Sequence, residues 1–599
     1  MDIIHKIKFF KSRIEQHSSS YLKYKKQLKY LAFIRLLTFI IYAIAVIVAA
    51  NKSNLLVVVI STVLFIILFG FLIKLYNVTQ YMVQHYRFLK KINSDEILRV
   101  EGSLDDFDPG QEYMYTEHPY HNDLDIFGSN SLYQLVNRCS TYWGKKTLAE
   151  WLSSKADINV ILARQESVKE LSHNINWLQE FQATGMHYEN KSDIGNFLKW
   201  LKSENRISNS VFYKVIRFTN PVLILSILIL VILSIITYHW LIAGIIVNGL
   251  IIIGALSDVK SIHDNTNDAI KTMKGLEALI IMVEKASFKS TLLSTIKGIY
   301  SRKDLKVSSR IGALNRILQN LDNRSNQIYQ LFNIFLLLDL HYSIAAEKWK
   351  TSQPENIQIW FDTMGEMEGL TSFAGMVYAG PHFVFPEILH GEHIIKAENI
   401  GHPLIPYTKR VSNNFSLIGK GKIAMITGSN MAGKSTFLRT IGINMVLALA
   451  GGPVCADTLS LAPTKVFTSM RTQDNLEENI SSFYAELKRI HQLLETIDEK
   501  EPVFFLLDEI LKGTNSYDRH RGAVSLVQQL SSKNISGLIS THDLDLAMET
   551  TRGRKVTNYN FNSIIRGEEI FFDYKLTSGI CESFNASKLM KKMGIKIIE

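Results

Sequence analysis

Residues 422–441, KIAMITGSNMAGKSTFLRTI, restrict the folds open to this chain more than any other stretch. The run Ile423-Ala-Met-Ile-Thr427 is short and apolar, as a buried strand is. Gly428-x-x-x-x-Gly433-Lys434-Ser435 follows, and Phe437, Leu438 and Ile441 then give a helix one apolar face. Strand, glycine loop and helix in that order describe a phosphate-binding loop. Glycines let successive backbone N–H groups turn inward around an anion, and the helix adds its positive N-terminal end. Lys434 at this spacing reaches the outer phosphates of a nucleotide, and the Ser435 hydroxyl ligates Mg²⁺.

The chain has 599 residues, enough for several domains. It is 47% hydrophobic and 20% charged, with mean hydropathy +0.06. That balance suggests soluble parts with membrane spans mixed in. The net charge of +10 fits anionic partners, nucleic acid or lipid headgroups. Cys139, Cys455 and Cys581 are far apart and match no metal or disulfide spacing, as expected of buried thiols in a reducing compartment.

Four apolar runs come in two pairs. Leu36 to Ala50 and Leu55 to Ile73 flank the turn Asn51-Lys52-Ser53-Asn54, with Arg35 placed to snorkel. Val222 to Ile236 and Leu241 to Leu256 flank Thr237-Tyr238-His239-Trp240, with Pro221 at the entry. Each pair reads as a transmembrane hairpin rather than as buried core helices or a cleaved signal peptide. Residues 1–30 carry eight basic side chains against Asp2 and Glu15, placing that stretch beside anionic lipid, with Ser18-Ser19-Ser20 interrupting its helical pattern. Basic residues flank the outer ends of both hairpins, whereas the inner turns carry only Lys52 and His239. The positive-inside bias therefore predicts a multi-pass protein of the inner or plasma membrane, both termini and the long segments cytoplasmic.

Between and after the hairpins the pattern is helical. Leu132, Leu135, Val136 and Cys139 fall on one helix face, as do Leu276, Leu279, Ile280 and Val283, and Leu314, Ile317, Leu318 and Leu321. Phe332 to Leu340 predicts a buried core helix, too short to span. Further on, Pro502-Val-Phe-Phe-Leu-Leu-Asp508-Glu509 is a buried strand ending in two carboxylates. Strand ends deliver side chains to the crevice of an α/β sheet. Asp508 is placed to hold Mg²⁺ through water, and Glu509 to orient or deprotonate an attacking water. His542 ends another strand, where a histidine can sense a terminal phosphate or be structural. Ser481 and Ser482 head a helix, as caps or as a phosphate contact across a dimer.

At these residues the chain resembles the MutS family of ATPases. GSNMAGKST (428–436) is similar to its phosphate loop, and DEILKGTNSYDR (508–519) to its acidic strand end and following turn. VFTSMRTQDNLEENISSFYAEL (466–487) resembles the lead into its signature serine helix. STHD (540–543) resembles its switch histidine segment, and GHPLI (401–405) the start of its ATPase domain. Residues 123–171 are more weakly similar to the helical core. The resemblance implies that Gly428, Ser429, Asn430, Met431, Ala432, Gly433, Lys434, Ser435 and Thr436 bind ATP. It implies Mg²⁺ on Ser435 and Asp508, Glu509 activating water, and His542 reading the γ-phosphate. Ser481 or Ser482 would reach the partner's nucleotide in a homodimer with composite sites. ATP turnover would be coupled to DNA engagement.

The expected fold is an ABC-type α/β P-loop NTPase domain plus an all-α core and lever carrying two transmembrane hairpins. The expected boundaries are a basic cytoplasmic segment 1–31, hairpin 32–74, core 75–216, hairpin 217–257, core and lever 258–385, and ATPase domain 386–599. Departures from the family pattern are specific. Apolar runs stand where a mismatch-recognition domain would, no Phe-x-Glu wedge is found, and a second hairpin interrupts the lever. Leu511 and Lys512 replace the usual small and basic pair, and the nuclease-like C-terminal domain of one branch of the family is not expected. ATPase chemistry therefore carries over and mismatch specificity does not. The alternative is a membrane mechanochemical or scaffold ATPase with no DNA role. A transporter fits poorly, with four spans split by a large soluble segment and no Leu-Ser-Gly-Gly-Gln signature.

Overall fold

The computed structural model describes residues 3–581 except 190–194, 303–304, 353–355, 381, 392, 430, 472–481, 498–500, 551–554 and 567–568. The chain divides into two compact units. One comprises Met1–Arg138, Lys146–Leu178 and Gly369–Glu599, the other Cys139–Lys145 and Gln179–Glu368.

Helices dominate the chain ahead of the sheets. α1 (Ile3–Asn51) and α2 (Leu55–Glu101) pair as a long hairpin in the first unit, followed by the short α3 (Leu132–Val136). In the second unit α4 (Val211–Ile232) and α5 (His239–Thr266) form another hairpin. α6 (Ala269–Lys285), α7 (Val307–Asp322), α8 (Gln327–Leu336) and α9 (Leu338–Ser352) follow there.

The turn between α1 and α2 is where the apolar pattern places it. Ser53 takes a left-handed φ of +50°, and the Asn54 side chain accepts from Val57 N to cap α2. α2 stops at Gly102, φ +78°, whose N–H bonds back to the last carbonyls. Tyr42 stacks on Phe65 at 4.1 Å, and the Arg35 guanidinium lies 4.8 Å from the Tyr76 ring. α1 runs unbroken through Ser18-Ser19-Ser20, so the predicted interruption is absent. Three serines cost little in an exposed helix, and pairing with α2 outweighs that. α1, α2, α4 and α5 are long and apolar enough to cross a membrane, and almost all of their apolar side chains are exposed.

Three further local expectations are corrected. The face from Leu132 to Cys139 is not one helix: α3 ends at Val136, a capping box at Ser131 starts it, and all five residues are buried. The predicted core helix Phe332 to Leu340 is broken at Leu337, φ +52°, and α8 meets α9 at 85°. α4 ends at Ile232 rather than Ile236, with Ser234 at φ +59°. The face Leu276 to Val283 lies on α6 and is buried, as are Leu314, Leu318 and Leu321 on α7.

From Ile394 onward the first unit is α/β. β1 (Ile394–Ile400) and β2 (Asn413–Ile418) pair antiparallel in a small sheet. Then come β3 (Ile423–Gly428), α10 (Lys434–Leu449), β4 (Thr458–Leu461) and β5 (Lys465–Ser469). α11 (Ser482–Thr496), β6 (Val503–Asp508), α12 (Ser516–Ser531), β7 (Ile535–Ser540), α13 (Leu544–Thr550), β8 (Val556–Arg566) and β9 (Glu569–Ser578) complete it. The large sheet has the order β5-β6-β7-β3-β8-β9, parallel except for β9. Its inner strands are apolar on both faces, because helices cover both. Val503, Phe505 and Leu507 of β6 face a core with Leu493 of α11 and Leu530 of α12. The alternate residue Leu506 meets α10, where a Cβ on Gly442 would stand 2.7 Å from it.

Candidate active site

Register alone gathers the candidate residues. Asp508 pairs with Ser540 and Ser540 with Ile426, so β6, β7 and β3 end side by side at their C-terminal edge. This is where ligands bind open parallel sheets. The loop after β3 requires its glycines. Gly428 has φ +148°, and a Cβ there would stand 2.7 Å from Phe561 O. Gly433 has φ +101°, and a Cβ there would stand 3.0 Å from the Tyr574 ring. Gly433 also precedes α10 without a side-chain cap, so the N–H groups of the helix's first turn have no capping side chain.

Lys434 is buried, and its Nζ donates to Gly428 O and Ser429 O, both at 3.0 Å. Burial lowers its ammonium pKa, against which Glu509 and Asp508 act. The Ser429 hydroxyl is buried with no hydrogen-bond partner among the described residues. An ammonium resting on two loop carbonyls, an unmatched hydroxyl and an uncapped helix start gather donors at one place, a set that suits a polyphosphate. Met431 to Phe437 and Glu509 line a cleft of about 450 Å³, which Ile405, Val411, Asn413, Phe561 and Tyr574 extend. The cleft is of ordinary ligand-site size.

Asp508 accepts a hydrogen bond from the Ser540 hydroxyl. Glu509 turns out of the strand with φ +51°, its N–H bonded to Ser540 O at 3.0 Å. Its carboxylate lies 2.6 Å from His542 Nε2 and 3.2 Å from Lys512 Nζ. The His542 hydrogen bond, ahead of the charges of His542 and Lys512, holds the Glu509 carboxyl down at about 2 although burial opposes it. His542 Nε2 is also 3.3 Å from Lys434 Nζ. One ring nitrogen cannot donate to Glu509 and accept from Lys434 together. The shorter contact makes it the donor to the carboxylate. Lys434, Glu509 and His542 thus meet at one point, with Asp508 beside them.

The signature region is joined to this point from outside the strands. Ser482 opens α11; Ser481 and Asn430 lie outside the described residues. Four residues into α11, Glu486 accepts from the N–H of Leu511 and, at 3.0 Å, of Lys512, gripping the turn after Glu509. A Cβ on Gly513 would stand 2.5 Å from Phe483. The segment feeding α11 is braced too. Asp123 accepts from Thr468 Oγ1 at 2.7 Å, Met470 N at 3.1 Å and Arg471 N at 3.0 Å. Arg489 bonds Thr468 O and Pro119 O at 3.1 and 2.7 Å.

Sequence reasoning missed Ser540, Asn413, Phe561 and Tyr574 as site residues. Ser540 had a partial signal, ending an apolar strand as Asp508 does; the observed register sets the two opposite each other. Tyr574 had none: it belongs to β9, and only the folding back of that hairpin brings it over Gly433.

Comparison with known proteins agrees with this geometry. The family model of MutS domain V matches residues 424–595. The DNA mismatch repair protein MutS of Haloquadratum walsbyi is 30% identical over 285 residues, 46% of this chain and 28% of the relative. MutS protein homolog 4 of Mus musculus is 30% identical over 236 residues, 37% of this chain and 24% of the relative. Endonuclease MutS2 of Thermus thermophilus is 33% identical over 142 residues, 24% of this chain and 18% of the relative. The chain spans less than a third of the length of each of these three relatives. Its C-terminal part is an ATPase module of the MutS domain V kind.

Proposed function

We propose that the chain is a membrane-anchored, MutS-like ATPase that binds and hydrolyses ATP, works as a homodimer with composite sites, and couples turnover to DNA binding. The observation that carries the hydrolytic reading is the meeting of Lys434, Glu509 and His542, with Glu509 ionised at neutral pH. Residues 428–436 would hold the phosphates through main-chain N–H groups, the Ser429 hydroxyl and Lys434, which would exchange two loop carbonyls for phosphate oxygens. Ser435 and Asp508 would hold Mg²⁺, which supplies charge neutralisation on those oxygens. Among the described residues no group of three or more His, Cys, Asp or Glu forms a metal cage. That agrees with a Mg²⁺ that keeps phosphate and water ligands. Glu509 would take the proton of the attacking water, and His542, leaving Glu509, would donate to the terminal phosphate. Ser481 or Ser482 of one protomer would complete the site of the other.

A second reading, a membrane mechanochemical or scaffold ATPase without DNA, is favoured by one observation. The basic N-terminal side chains and the first apolar run share the single helix α1, which suits lipid headgroups. One experiment separates the two: detergent-purified protein titrated with duplex DNA across salt concentrations, with and without ATP, beside Lys434→Ala. Lys434→Ala is expected to abolish nucleotide binding and phosphate release. DNA engagement is expected to give a linear fall of log affinity with log salt. Intact ATPase with no DNA binding at low salt would sink the DNA role and leave the second reading.

A further inference from the structure

The polar groups of the second unit bear on how the bent pair α8 and α9, apolar enough together to enter a membrane, is seated. Asn248 lies in the apolar part of α5, nine residues from its start at His239, about 14 Å along the helix. It is fully buried. Its Nδ2 donates to Ile334 O at 2.8 Å, and its Oδ1 accepts from Asn220 Nδ2 of α4 at 2.8 Å. Ile334 is in the last turn of α8, where carbonyls lack an intrahelical donor. A second orphan carbonyl lies on α4. Pro221, inside α4, has no N–H to offer Arg217 O, and His341 Nε2 of α9 donates to it at 2.8 Å. At the 85° bend, Asn333 Oδ1 accepts from Asp339 N at 2.9 Å. Water would satisfy such groups at no structural cost. In lipid, backbone freed by a bend or a proline must be paired by protein.

The opposite face of α8 is apolar. Ile328, Leu331, Phe332 and Leu336, at i, i+3, i+4 and i+8, are 67%, 58%, 52% and 42% exposed. A soluble amphipathic helix turns such a stripe inward; here the inward residue is Asn333. Charge near the two ends of the helix is neutralised locally, because Arg324 pairs with Asp339 at 3.4 Å and the Tyr329 hydroxyl donates to Asp339 at 3.0 Å. The stripe is carried by a helix bonded to Asn248, and α5 around Asn248 exposes Ile246, Val247, Leu250 and Ile253. Ten residues make about 15 Å of helix, half of a hydrocarbon core of about 30 Å.

We propose that α8 is a re-entrant half-helix seated in the bilayer beside α4 and α5, with Ile328, Leu331, Phe332 and Leu336 against lipid acyl chains. The proposal rests on the reading of α4 and α5 as spans, and its test separates the two. A single environment-sensitive fluorophore is attached to full-length Phe332→Cys, Leu250→Cys or Leu162→Cys, and each protein is placed in vesicles containing lipids with a nitroxide on the acyl chain. The unsubstituted protein, whose three cysteines are buried, is the labelling blank. The expected result is loss of fluorescence at 332 as large as at 250, with none at 162. Quenching at 250 but not at 332 would place α8 outside the acyl layer and overturn the proposal alone. No quenching at either would overturn the span reading and the proposal with it. Ile328→Cys repeats the measurement should Phe332→Cys fail to fold.

Discussion

Glu509 holds a left-handed backbone conformation, which costs a non-glycine residue about 1–3 kcal/mol. The turn carries its carboxylate out of the strand direction and onto His542 and Lys512. Replacing it with glutamine keeps the shape and removes the base. Glu509→Gln is expected to retain ATP binding while the turnover rate falls about 10²–10⁴-fold; an unchanged rate of phosphate release would refute the assignment. The carboxyl also links stability to pH. Its value falls from 4.5 to about 2 in the folded protein, so its contribution is complete above 4.5 and is lost as pH falls from there towards 2. The curve of melting temperature against pH should be shallower on its acid side for Glu509→Gln than for the parent. Superimposable acid limbs would show that the His542 contact does not stabilise the fold.

Among the elements, α2 is anchored at its C-terminal end by a buried charge cluster. Glu96 accepts from Arg138 Nε at 2.8 Å, from its second nitrogen at 2.7 Å and from Arg99 at 3.1 Å. Burial pushes the Glu96 carboxyl up, but the two guanidiniums outweigh it and hold it below its ordinary value. Glu96→Gln would leave both cations buried without a counter-charge, a loss of about 3–5 kcal/mol. Amides in the last turns of α2 should then exchange about 10²–10⁴-fold faster; unchanged protection would mean that helix packing alone holds α2. α11 is tied by a lighter device, the Glu486 carboxylate on two N–H groups of the turn after Glu509. Glu486→Ala is expected to lower turnover without changing ATP affinity, because it frees the turn and leaves the phosphate loop untouched. Equal losses in both would instead indicate general unfolding of the module.

For the whole molecule, the deciding quantity is exposed apolar surface. α1, α2, α4 and α5 present Leu, Ile, Val and Phe on nearly every side over their apolar windows. Each such side chain left in water forgoes about 1.5–3 kcal/mol of burial, and contiguous patches of this extent do not persist on soluble monomers. The expected behaviour is retention in the membrane pellet through alkaline carbonate and high salt, with release only by detergent. Recovery in the aqueous supernatant would remove the anchoring from the proposed function.

Local pattern determined a great deal here without any coordinates. Period-3.6 faces marked α6 and α7, uncharged runs marked both hairpins, and the order strand, glycine loop, lysine, helix marked the cleft before any sheet was known. These are properties of neighbouring residues, set by backbone dihedrals and by which side chains share a face. The tertiary structure decided what pairs across distance. Ser540 meets Asp508, Glu486 meets the turn at Leu511, Asp123 meets Thr468, and Tyr574 closes over Gly433. It also decided the bend at Leu337, because Asn248, Asn333 and His341 together pair backbone groups that the bend and Pro221 leave open. Asn333 and Asp339 apart, no short window of sequence contains both members of such pairs, and the free energy of a buried polar contact depends on the partner that the fold delivers.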